Sequence, residues 1–155
     1  MRITSPAFAE GQNIDARYTC DSDDVSPQLV FADVPERTQA FALIVDDPDA
    51  PRGTWVHWVY YDVSGEARQL PEGAGAPVPG GGEAGPRQGR NDFSNLGYGG
   101  PCPPPGTAHR YFFKLYALDA QLGLPEGATK AEVVQAMQDH ILAEAQLMGQ
   151  YARAR

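Results

Sequence analysis

Asp47, Asp49 and His57 stand close together in "IVDDPDAPRGTWVHWVYYDV" (44–63), with His57 set between Trp55 and Trp58. A second histidine, His109, opens "HRYFFKLYAL" (109–118), followed by Tyr111. These types can do three kinds of chemistry. Imidazole and phenol groups donate hydrogen bonds to an oxyanion. A carboxylate beside an imidazole orients the ring and favours its charged form. Asp47, His57 and His109 also have the composition of a two-histidine, one-carboxylate metal site, or of an acid–base set for hydrolysis. Local readings stand beside these: Asp and Pro favour turns for their own reasons, and a lone histidine on a half-apolar face also serves as a hydrogen-bonded core residue.

The elements that must position these groups are strands. Residues 28–34, 39–46, 54–63 and 110–118 are rich in β-branched and aromatic residues and bounded by Pro, Gly or Asp. Several short strands with turns between them predict an antiparallel, mainly β core of two packed sheets. Strict alternation puts Trp55, His57, Val59 and Tyr61 on one face and Val56, Trp58 and Tyr60 on the other. On the next strand His109, Tyr111, Phe113 and Leu115 share a face, which reads as a pocket rim above a core. A long Gly/Pro-rich loop occupies 71–106, expected to be mobile up to about Gly89 and ordered from Asn91, where Phe93, Leu96 and Tyr98 can pack. A C-terminal helix is signalled by a Thr129/Glu132 capping box and by Val133, Met137, Ile141, Ala145 and Met148, with Gly149 to end it. His140 falls on that helix as a surface or boundary residue.

The 155 residues suit a single domain, 1–155, able to bury roughly two thirds of its unfolded surface. A net charge of −8 argues against nucleic acid and anionic membrane surfaces as partners. No apolar run reaches the ~20 residues of a membrane span, and the first residues lack an apolar core of signal-peptide length, so a cytoplasmic location is expected. Cys20 and Cys102, distant in sequence and without CxxC spacing, are then expected to be free thiols rather than a disulfide or a metal site. No GxSxG elbow supplies a hydrolytic nucleophile.

"DPDAP" (47–51), "HW" (57–58), "GGPCPPPG" (99–106) and "HRYFFKLYAL" (109–118), in that order, resemble the phosphatidylethanolamine-binding protein family, also called Raf kinase inhibitor-like proteins. "YTCDSDDVSPQLVF" (18–31) is similar to its bacterial and archaeal branch, with Phe31 where that branch leads one to expect Trp. The resemblance implies an antiparallel β-sandwich with a small anion pocket built from Asp47, His57, His109 and Tyr111. It implies Pro51 and Trp55 as walls, and Gly99 and Gly100 at the rim with backbone N–H groups as further donors. Asp49 is expected to stabilise the turn. The implied function is non-catalytic binding of phosphate, a phosphomonoester or a phospholipid head group. No metal or cofactor is implied; a homodimer is, while the kinase and protease partners of eukaryotic relatives leave a protein partner of this chain open. The alternative is a metal-dependent or acid–base hydrolase using Asp47, His57 and His109.

Overall fold

A computed structural model describes residues 1–77 and 85–154. Among these described residues eight strands, one 3₁₀ turn (Ala16–Tyr18) and one α-helix follow in chain order. Strands β1 (Arg2–Thr4), β2 (Leu29–Ala32) and β5 (Gln69–Leu70) form a small sheet in the order β1-β2-β5. The larger sheet has the order β6-β4-β3-β7-β8, from β3 (Ala40–Asp47), β4 (Trp55–Ser64), β6 (Arg87–Gln88), β7 (His109–Leu118) and β8 (Ile141–Tyr151). Every strand pairing is antiparallel.

Strand β3 lies at the centre of the larger sheet and is buried along its whole length, which explains its unbroken apolar run "AFALIV". Its inward residues Phe41, Leu43 and Val45 join Ile3, Leu29, Phe31, Phe113 and Leu115 in the core between the sheets. Its outward residues Ala42 and Ile44 pack with Val133 and Met137 of helix α1 (Lys130–Met137). At the end of the strand the alternation separates two neighbouring acids. Asp46, 1% exposed, faces outward and binds Lys114 Nζ at 3.2 Å and Lys130 Nζ at 2.8 Å. Asp47 faces inward.

Strand β4 departs from the strict alternation expected of it. Val45 pairs with Trp58 and Asp46 with Val56, so His57 is an extra residue, a β-bulge. A second shift follows between Phe41/Val63 and Leu43/Tyr60, near Asp62, whose φ of 54° is left-handed. Trp58 and Tyr60 therefore stack in the inner core while Val56, Val59 and Tyr61 face the helix. His57 leaves the face of Val59 and Tyr61 and turns toward Tyr111, as bulges commonly re-aim a side chain.

The capping box at Thr129 and Glu132 is formed, but the helix ends at Met137. The expected continuation to residue 148 is strand β8, paired with β7 from Leu118/Ile141 to His109/Tyr151. Asp139, with φ at 68°, turns the chain out of the helix, and His140 lies exposed with its Nδ1 2.7 Å from Asp119 Oδ1. Helix-forming Ala, Glu, Gln and Met are overridden here by the ladder to β7. Gly149 does not end a helix. A Cβ there would meet Ile14 Cγ1 at 2.6 Å and Phe8 Cε2 at 2.7 Å, because the N-terminal segment lies directly on it. Gly149→Ala is expected to cost ~1–3 kcal/mol through overpacking, read as a lower urea midpoint with unchanged slope.

In the long loop, Arg87 and Gln88 pair with Tyr61 and Tyr60, so 87–89 joins the sheet instead of being mobile as expected. Within the rest of that expectation, 78–84 lie outside the described residues. From Asn91 onward the loop is built as expected, around one side chain. Asn91 Nδ2 donates to Gly97 O at 3.0 Å, and its Oδ1 accepts from the amides of Phe93 and Asn95 at 2.9 and 3.1 Å.

The free-thiol expectation is overturned: Cys20 and Cys102 form a disulfide, 82 residues apart in sequence with Cα atoms 5.4 Å apart. Beside the disulfide, Cys20 N donates to Pro101 O at 3.1 Å. Among the described residues no helix is long and apolar enough to cross a membrane.

Candidate functional site

The C-terminal end of β3 and the N-terminal ends of β4 and β7 meet at one end of the sandwich, where Asp47 pairs with Trp55 and Asp46 with Phe112. A cavity of about 200 Å³ opens there. Its polar lining is Asp47, His57, His109 and Tyr111. Ala50 and Pro51 of the β3–β4 turn and Trp55 form one apolar wall. Phe93, Cys102, Pro103 and Pro104 of the long loop form the other. Trp55 and Phe93 are each 37% exposed and meet edge to face at 5.4 Å.

Both oxygens of Asp47 are occupied. Oδ1 accepts from Asp49 N at 2.7 Å, which closes the turn. Oδ2 accepts from His109 Nδ1 at 2.7 Å. Asp49 itself points away from the cavity into a two-pronged bond with the Arg110 guanidinium, and that bond lowers its pKa to about 2. Asp49 thus pins the turn to β7, as expected, and Asp47 is the carboxylate of the pocket.

His57 is 3% exposed and stands edge-on to the rings of Phe93 and Tyr111, at 5.4 and 5.1 Å. Its Nδ1 donates to Gly99 O at 2.6 Å. Burial holds its pKa below the ordinary imidazole value, with the Gly99 carbonyl and the Asp47 charge pulling less strongly the other way. A carbonyl or carboxylate oxygen only accepts, so Nδ1 carries the proton in both histidines. In neutral His57 the Nε2 is then a bare acceptor. Tyr111 is 1% exposed, and its hydroxyl has no hydrogen-bond partner among the described residues. Burial, reinforced by the Asp47 charge, pushes its pKa far up, so it stays protonated and able to donate.

Gly99 and Gly100 do not supply donors to the cavity. Gly99 N donates to His57 O at 2.9 Å and Gly100 N to Asp24 Oδ1 at 2.8 Å. Their part is behind the histidine, in a layer with no room for side chains. A Cβ on Gly99 would meet Phe93 Cδ2 at 2.6 Å, and one on Gly100 would meet Tyr18 O at 2.2 Å. Sequence reasoning missed Ala50, Phe93, Cys102, Pro103 and Pro104 as walls. "GGPCPPPG" carried a signal for three of them; Phe93 carried none beyond being apolar in a polar loop.

The cavity brings together Asp47, His57 and His109, the set named for the hydrolase alternative. No serine, threonine or free thiol lines the cavity, and no group of three or more His, Cys, Asp or Glu among the described residues is placed to hold a metal ion.

A concave pocket at one end of a two-sheet β-sandwich, polar at its floor and apolar at its walls, has the make-up of a small-molecule site. Residues 4–152 match the family model described as phosphatidylethanolamine-binding protein, and the chain belongs to that family. A UPF0098 protein of Aquifex aeolicus is 49% identical over 155 residues, covering 99% of this chain and 89% of that protein. One of Methanothermobacter thermautotrophicus is 46% identical, covering 99% of each chain. Among solved structures, the putative phosphatidylethanolamine-binding protein homolog CT736 of Chlamydia trachomatis superposes with a TM-score of 0.88 at 41% identity, covering 98% of this chain and 97% of that one. YbcL of E. coli does so with a TM-score of 0.89 at 32% identity, covering 97% of each.

Proposed function

We propose that the pocket binds a small phosphate-containing anion without transforming it. One observation carries this reading: Tyr111, whose buried hydroxyl has no partner among the described residues, lines the same cavity as two histidines whose Nδ1 atoms are both committed elsewhere. A buried donor left unmatched costs ~1–3 kcal/mol, and an oxyanion oxygen supplies what it lacks. Size limits the ligand. The cavity is smaller than the ~300 Å³ at which drug-sized pockets begin, so it takes a head group while the remainder of the ligand leaves past Trp55 and Phe93. A phosphate group on a protein partner would reach the floor in the same way.

Inorganic phosphate titrated into labelled protein is expected to move the NMR signals of His57, His109 and Tyr111, with saturation in the millimolar range typical of weak, single-group ligands (~4 kcal/mol). Shifts confined to other parts of the molecule would remove the pocket from the account.

A further inference from the structure

The polar floor is unusual for an anion site. Phosphate dianions are ordinarily held by Arg or Lys, and neither residue lines this cavity. A carboxylate does. The chain's net charge of −8 offers no compensating field. With its Nδ1 proton held by Gly99 O in a buried seat, neutral His57 offers Nε2 as an acceptor, and the Tyr111 hydroxyl is a donor without a partner among the described residues. His57 is the fixed member: its seat between the Phe93 and Tyr111 rings is apolar, so a proton at Nε2 is most readily brought by the ligand. The titratable groups facing it are Asp47 from β3, His109 and Tyr111 from β7, and Asp24 from the N-terminal loop.

We infer that the pocket selects an oxyanion that carries its own acidic proton: the monoanion of a phosphomonoester, with its P–OH donating to His57 Nε2 and an unprotonated oxygen accepting from Tyr111. Phosphodiesters and sulfate esters have the same charge and a similar shape but no such proton. They leave His57 Nε2 facing a lone pair and bring no donor to a floor that already holds the Asp47 carboxylate. Phosphomonoester dianions fail likewise and add a charge. The inference rests on the anion-pocket reading and narrows it to one ligand class.

Four probes with the same aryl group test it by calorimetric titration of the whole chain: phenyl phosphate, phenyl sulfate, methyl phenyl phosphate and phenylphosphonate. At pH 6 phenyl phosphate is expected to bind at least tenfold more tightly than the sulfate or the diester. Above its second ionisation, near pH ~6, its affinity should fall up to tenfold per pH unit as the monoanion disappears. Phenylphosphonate ionises at higher pH, and its decline should move up with it. A decline at one fixed pH for both ligands would mean that a histidine titrates instead, and would overturn the inference. So would equal binding of the sulfate, the diester and phenyl phosphate, although the anion pocket itself would then stand. If none of the four binds at any pH, the anion-pocket reading fails, and this inference with it.

Discussion

Removing the Cys20–Cys102 disulfide is expected to lower the unfolding free energy by about 4 kcal/mol. The bond closes a loop of 82 residues, and a loop of that size loses ~4–5 kcal/mol of closure entropy from the unfolded chain. For a chain of 155 residues each kcal/mol corresponds to ~2–4 °C, so the midpoint should drop by roughly 10 °C. Urea unfolding with and without reductant reads the effect, and a Cys20→Ser, Cys102→Ser double variant should show the lower stability and ignore reductant. Wild-type protein whose midpoint stays unchanged on full reduction would contradict the prediction. The pocket should suffer less than the fold. Cys102 is part of its wall, but the same segment is also tied down by Cys20 N to Pro101 O, by Gly100 N to Asp24, and by the Tyr98 hydroxyl to Tyr18 O at 2.7 Å. Affinity for phenyl phosphate is therefore expected to fall only a few-fold.

That disulfide also marks where a linear sequence stops being informative. The separation in sequence says nothing of the 5.4 Å between the two Cα atoms, and the free-thiol expectation leaned on the surrounding compartment instead of on the fold. The face shared by His109, Tyr111, Phe113 and Leu115 was legible because β7 runs without a bulge through that stretch, so period two holds. The faces of β4 were not, because extra residues at His57 and near Asp62 shift the parity twice. The shift at His57 is what brings the histidine to the pocket. The sequence does show Asp46 and Asp47 side by side, and only the strand assigns one to the lysines of the outer face and the other to His109. Strand β8 was read as helix because its residues favour helix one by one, while its partner β7 acts only in three dimensions. The period-two series Ala143, Ala145, Leu147, Gly149 was present in the sequence and competed with a three- and four-residue series of similar quality.

Asp47→Asn is expected to alter ligand choice more than stability. Asp47 satisfies two donors, Asp49 N and His109 Nδ1, with two different oxygens. An asparagine has one oxygen and one NH₂. If its oxygen keeps Asp49 N and the turn, its NH₂ faces a ring N–H, and the cheapest remedy is for His109 to move its proton to Nε2 and accept at Nδ1. That switch costs less than leaving a buried donor unmatched, ~1–3 kcal/mol, which Asp47→Ala would do at both positions. Stability should therefore fall by about 1 kcal/mol in the asparagine variant and by more in the alanine variant. At the pocket floor two things change. The carboxylate charge is gone, and His109, accepting at Nδ1, carries its proton at Nε2. Anions without an acidic proton gain a partner and lose a repulsion. The ratio of phenyl phosphate to phenyl sulfate affinity, at least tenfold in the wild type at pH 6, should shrink to within about threefold, mainly because the sulfate binds better. Paired calorimetric titrations of the two ligands on both proteins decide the matter. An asparagine variant that keeps the wild-type ratio would show that Asp47 neither sets the tautomer of His109 nor guards the floor against proton-free anions.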